Sequence, residues 1–167
     1  MGKADTKDLL KFLAPFSGEI RGIVLWLREF VWDLYPDANE LIYDNYNALA
    51  LGWSLSDKAG DTFCSIAVWN NKYVHFGFYR GSEISDPEKM LMGNGKQYRY
   101  MKVYTKRGFP RVYIKRLLKE AYAVSLARMK PGTGAHRDKA PILKGATIIK
   151  LILPVKKRPG MIFQEKK

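Results

Sequence analysis

Apolar residues recur at Ile20, Ile23, Val24, Leu27, Phe30, Val31 and Leu34, the three-to-four spacing that turns one helical face toward a core. Ser17 precedes this run as a candidate N-cap and Pro36 closes it, so a helix is predicted between them. A shorter amphipathic helix is predicted ahead of it, from Thr6 or Asp8 to Leu13, stopped by Pro15.

The pattern then changes to alternation. In ALALGWSLS, Leu49, Leu51, Trp53 and Leu55 share one face, and Ala48, Ala50, Gly52 and Ser54 share the other. SDKAGD reads as a hairpin loop at Lys58-Ala59-Gly60, a register that sets Leu55 opposite Phe63 and Trp53 opposite Ser65. A second turn at Asn70-Asn71 would pair Ile66 with His75. One face of this meander carries Trp53, Phe63, Val74, Phe76 and Phe78 and belongs against the helices. The other gathers Cys64, Ile66, Val68, Tyr73, His75 and Tyr79 beside the small side chains of the first strand. Small residues next to aromatic ones predict a shallow trough on the sheet, with Tyr73, His75, Tyr79 and Cys64 as its candidate lining.

Downstream, DPEKMLMG reads as one or two helical turns with Asp86 as N-cap and Gly93 as the stop. YRYMKVY is a further strand. RVYIKRLLKEAYAVSLARM is a closing helix that would bury Val112, Leu117, Leu118, Ala121 and Val124. Beyond it, KPGTGAHRDKAP has a linker's glycine and proline content, and IIKLILPV fits an edge strand because of Pro154. These elements predict an α+β fold, an antiparallel meander sheet with helices packed on one face. Residues 1–129 form the domain, and residues 130–167 form a basic C-terminal extension.

Charge divides the chain. Residues 1–88 hold 8 basic and 13 acidic residues, a net of −5, whereas residues 89–167 hold 21 and 3, a net of +18. That asymmetry points to an anionic small molecule or a polyanion as partner. Cys64 is the sole cysteine, which excludes an internal disulfide. The start, MGKADTKDLLKFL, carries acids and no signal-like apolar core, and no apolar run reaches bilayer length. The expectation is a cytoplasmic protein without a membrane partner; oligomeric state is not legible.

The stretch GNGKQYRYMK at 93–102 fits a phosphate cradle, a nucleic-acid strip or a turn entering a strand. A Walker loop fails because position 90 is Met and position 97 is Gln, and a dinucleotide fingerprint fails because position 98 is Tyr. Lys96, Arg99 and Lys102 could still surround an anion together with the amides near Gly93 and Gly95. Tyr98, Tyr100 and Tyr104 among these cations fit a single-stranded nucleic-acid platform, unless they point into the core. Nucleophilic catalysis would have to pair Cys64 with His75, and no third residue orients that pair. One cysteine and two histidines make no zinc set. Glu29, Asp33 and Asp37 form an acidic helix edge that could hold a hard cation or iron.

The order KYVHFGFYRG, DPEKMLMGNGKQYRYMKV, YIKRLLKEAYAVS resembles the YdhG-like family, domain of unknown function 1801. Asp86, Pro87, Leu91, Gly93, Gly95, Lys96, Arg99 and Lys102 match its loop pattern, over residues 6 to 128. The resemblance implies a frataxin-like two-layer sandwich, a bacterial source and, for some members, an iron-chaperone role. The extension after Lys130 has no counterpart in the family pattern. The combined expectation is a non-enzymatic binding domain without a resident cofactor, iron apart, taking an anionic ligand near GNGK. An iron chaperone and a single-stranded nucleic-acid binder are the alternatives.

Overall fold

The computed structural model describes residues 7–44, 48–129 and 141–150. Thr6, the linker at 130–140 and the end of the chain from 151, including Pro154, lie outside the described residues. Helices α1 (Lys7–Leu13) and α2 (Gly18–Leu34) stand where the pattern predicts them. The Ser17 hydroxyl accepts from the Ile20 amide at 3.3 Å, the side-chain cap that starts α2. The buried face of α2 extends to Arg28 and Trp32, while Leu34 is exposed. Trp32 is admitted because its Nε1 donates to the Ala38 carbonyl at 2.9 Å.

Strands β1 (Asn39–Asp44), β2 (Leu49–Ser54), β3 (Thr62–Val68), β4 (Val74–Phe78) and β5 (Arg99–Val103) form an antiparallel meander. Strand β6 (Thr147–Ile149) adds in parallel beside β1, giving the order β5-β4-β3-β2-β1-β6. The fold is α+β, with a mostly antiparallel, open sheet. Helix α3 (Arg111–Arg128) packs on β3, and α2 packs on β3 and β4. No helix of the described residues is long and apolar enough to cross a membrane.

Three local readings change. Strand β1 is absent from the alternation because Glu40 interrupts NELIYD, yet Glu40 is fully buried. Arg28 Nε and Nη2 donate to its two carboxylate oxygens at 2.7 and 3.0 Å, and Thr147 Oγ1 donates to Oε1 at 2.9 Å. A charge this satisfied can sit inside a sheet. In α3 the buried face begins at Tyr113 rather than Val112, which is 83% exposed. The Tyr113 hydroxyl donates to the Asp86 carboxylate, and that anchor fixes the rotation of the helix. Asp86 also accepts from the Met90 and Leu91 amides, so DPEKMLMG is a side-chain-capped turn and not a helix.

The largest difference is in β3. Trp53 pairs with Cys64 and Ser54 with Thr62, so Phe63 is an extra residue in the strand. This bulge reverses every following side chain relative to the expected register. Cys64, Ile66 and Val68 turn to the helices, and Ser65, Ala67 and Trp69 turn away from them. The bulge is favoured because Phe63 also reaches the core, 5.2 Å from both Tyr35 and Tyr122 between ring centroids. Ala67, not Ile66, then faces His75.

Residues 141–150 close the far edge. The Asn39 amide donates to the Ile142 carbonyl at 2.6 Å, and its Oδ1 accepts from the Lys144 amide at 2.9 Å. The Glu40 amide donates to Ala146 at 2.9 Å and the Lys150 amide to Ile42 at 2.7 Å. This part of the basic extension is therefore integral to the sheet.

Candidate functional site

The helices cover one face of the sheet, and a trough of about 450 Å³ occupies the other. Its floor is made by the smallest side chains of the two central strands: Ala50 and Gly52 from β2, Ser65 and Ala67 from β3. Cross-strand pairing lines up Tyr43, Ala50, Ala67 and His75 in one row, a wall, two floor residues and the opposite wall. Trp69 flanks His75, and Tyr79, Gln97 and Tyr98 rise at the other end. Tyr98 lies over Gly77, where an added Cβ would be 2.1 Å from the tyrosine hydroxyl. The close fit of the ring over Gly77 holds it in place as a wall.

The trough is uncharged. Among the described residues no Asp, Glu, Lys or Arg lines it. Burial pushes the phenols of Tyr79, Tyr98 and Tyr43 above their ordinary value, so they stay protonated. His75 is 9% exposed. Burial, and then the charge of Lys102, lower its imidazole from 6.5 to about 4, which makes it neutral at physiological pH. Its ring is sandwiched between Tyr100, 4.0 Å away and 14° from parallel, and Tyr73 at 5.5 Å and 20°. Trp69 meets it edge-on at 4.3 Å. Among the described residues its Nε2 has no hydrogen-bond partner.

The expected trough residues divide. His75 and Tyr79 line it, and Tyr73 supports His75 from behind. Cys64 does not belong there: the bulge turns it to the core, fully buried, where desolvation pushes its thiol well up. Cys64 and His75 therefore sit on opposite faces and form no pair. Tyr43, Ser65, Ala67, Trp69, Gln97 and Tyr98 were missed. For Ser65, Ala67 and Trp69 the missing signal was the bulge. For Tyr98 it was parity, because Tyr98, Tyr100 and Lys102 alternate with Met101 and Val103, which are buried.

The cations expected to surround an anion are not brought together. Arg99 and Lys102 are three positions apart on one strand and so lie on opposite faces. Arg99 Nη1 donates to the carbonyls of Gly95 and Tyr98 at 2.6 and 2.8 Å. The Lys102 ammonium stands 4.6 Å over the Tyr73 ring. Lys96 is exposed, and its carbonyl accepts from Ser82 Oγ at 2.9 Å. Gly93 adopts φ +118° beside the bridge from Met92 to Tyr100, and Gly95 has open space around it. GNGK is thus a turn entering a strand, and glycine is required at Gly93 for backbone reasons. Tyr98, Tyr100 and Tyr104 face away from the core, where Tyr98 stacks on Tyr100 at 5.8 Å and Tyr104 leans on Tyr73 at 5.6 Å.

Glu29, Asp33 and Asp37 are exposed. Among the described residues no group of three or more His, Cys, Asp or Glu side chains is placed to hold a metal ion. A second cavity of about 580 Å³ covers the first turn of α3, where Glu88 and Arg116 pair across it at 3.7 Å. No family model, no curated protein and no solved structure matches the chain.

Proposed function

We propose that the domain is a binding module, without chemistry of its own, that takes a small, flat, largely apolar ligand in the trough. The observation that carries this is the floor of Ala50, Gly52, Ser65 and Ala67 beneath aromatic walls. Residues this small give depth at the centre of a sheet, where the backbone is most rigid. The volume lies in the range of small-molecule sites. The YdhG-like resemblance is compatible with this reading, since a two-layer sandwich leaves one sheet face for a ligand. The anion and iron readings draw less support, because Arg99 and Lys102 diverge and Glu29, Asp33 and Asp37 stay at the surface. A nucleic-acid reading rests on charge, because Tyr98 and Tyr100 stack on each other and Tyr100 stacks on His75 as well, which leaves Tyr104 as the one exposed ring of the three.

Nile red, an uncharged planar dye, tests the proposal. Its fluorescence should rise saturably with the protein, and Ala67→Phe, which fills the floor, should weaken binding at least tenfold while leaving Tm within a few degrees. Equal affinity in the filled variant would remove the trough as the binding site.

A further inference from the structure

We propose that the exposed face of α3 is a docking surface for the phosphodiester backbone of double-stranded nucleic acid, carried by Arg111, Lys115 and Lys119. These residues sit on the helical layer, which the sheet separates from the trough, so the surface stands apart from the ligand site. Spaced four positions apart, they form one row along the helix, about 6 Å between neighbours and about 12 Å in all. All three are exposed, and among the described residues no ion pair engages them. Lys106 and Arg107, exposed in the segment that leads into α3, add charge at its N-terminal end.

The rest of the helix is not bare. One position beyond Lys115, Arg116 pairs with Glu88 at 3.7 Å, and Arg128 pairs with Glu83 at 3.0 Å. Glu120 accepts from the Ser85 amide at 2.9 Å. These acids meet the edge of α3 that borders residues 83–88 and leave the row uncompensated. Like charges four positions apart repel, and a cation in the first turn opposes the helix dipole, which no acid there offsets. Both placements weaken the helix. Residues that work against their own element are expected where the surface meets something else.

The partner is a polyanion that needs neither a pocket nor a free ring. Helix α3 turns Ile114, Leu117, Leu118 and Ala121 onto the core, and Val112 is the one large apolar side chain exposed near the row. An anionic membrane would therefore find almost no apolar face to take up. Single strands are held by rings that stack on their bases. Near the row Tyr113 is 7% exposed and Tyr122 is stacked on Tyr35, while Tyr104 leans on Tyr73 at the other face of the sheet. A duplex carries one charge per about 1.7 Å of axis on its outside, and a straight cationic row on a rigid helix can follow it without reading bases.

Anisotropy of a labelled DNA duplex of about 20 base pairs, titrated with the full chain at several salt concentrations, tests the surface. Arg111→Gln, Lys115→Gln and Lys119→Gln together should weaken binding about tenfold or more and flatten the log–log salt slope by about 2 to 3, near one unit per lost phosphate contact. Lys7→Gln, Lys58→Gln and Lys72→Gln together remove the same charge from exposed positions elsewhere and should leave the slope unchanged. The Tm of the row variant should equal or exceed that of the wild type, because repulsion within α3 is relieved, so weaker binding would not reflect unfolding. Unlabelled single strand and phosphatidylserine vesicles should each compete more weakly than unlabelled duplex at equal phosphate concentration. Undiminished binding by the row variant would place the contact elsewhere, the basic C-terminal residues included, and overturn the proposal. So would equal losses in the row and control variants, which would make net charge the cause. Equal or stronger competition by single strand or vesicles would overturn the choice of partner, and absence of duplex binding by the wild type at low salt would remove the surface altogether.

Discussion

Gly77→Ala puts one methyl group into the wall of the trough. The added Cβ would stand 2.1 Å from the Tyr98 hydroxyl oxygen, 2.4 Å from Cζ and 2.6 Å from Cε1. Carbon reaches its optimal contact near 3.5 Å, so the ring has to retreat by more than about 1 Å. The obstacle is the far end of a side chain, and Tyr98 can swing outward without moving β4. The swing drives the side chain off its preferred torsions, at a cost of about 0.5 to 1.5 kcal/mol, a fraction of the 5 to 15 kcal/mol typical of a domain. The expected outcome is a folded variant with a lowered urea midpoint and an unchanged m-value. Nile red affinity should fall several-fold, because one wall is displaced. Gly77→Ala with Tyr98→Ala should recover the stability lost to the clash but not the affinity. A single variant with wild-type stability and wild-type dye binding would refute the assignment of Tyr98 as a fixed wall.

Two further predictions follow from buried polar groups. Glu40→Ala removes the carboxylate that accepts from the buried Arg28 guanidinium and should cost about 3 to 5 kcal/mol in urea unfolding, whereas the double change Arg28→Met, Glu40→Leu should cost far less; a single-variant loss under about 1 kcal/mol would contradict the pairing. His75 makes stability fall in acid: the imidazole is neutral in both states above pH 6.5, and between 6.5 and about 4 only the unfolded chain takes up the proton. The ceiling is about 3 kcal/mol, water in the trough should screen it to about half, and His75→Phe should flatten that part of the pH profile measured by chemical denaturation.

The elements that the sequence disclosed are those whose side chains obey one period throughout. Helix α2 keeps its spacing from Ile20 to Val31, and the first strand of the hairpin alternates cleanly between Leu49, Leu51 and Trp53 and the small residues between them. What stayed hidden departs from a period for a local reason. Strand β1 was obscured by Glu40, because a carboxylate inside an alternating run looks like a loop until its partner on α2 is known. Arg28 lies 12 positions away, a distance no local pattern spans. The face of α3 was misread by one position because Val112 is apolar and exposed, while the anchoring group is the hydroxyl of Tyr113. The candidate site was half legible: the small residues of β2, with His75 on β4 and Tyr73 and Tyr79 at its ends, already implied a trough, but the strand between them was assigned to it with the wrong face.

That wrong face bears on function. Without an extra residue at Phe63, the strand would turn Cys64, Ile66 and Val68 toward the trough and bury Ser65 and Ala67 against the helices. Two branched side chains would then stand where Ala67 and Ser65 now form the floor, and the volume between Tyr43 and His75 would be filled. The bulge does two things at once. It lets Phe63 and Cys64, adjacent in sequence, both enter the core, which adds aromatic packing with Tyr35 and Tyr122. It also delivers the small parity of β3 to the outer face, beside the small parity of β2. Core packing and trough depth are therefore set by the same inserted residue, and this places the trough among features the fold maintains rather than among accidents of surface composition.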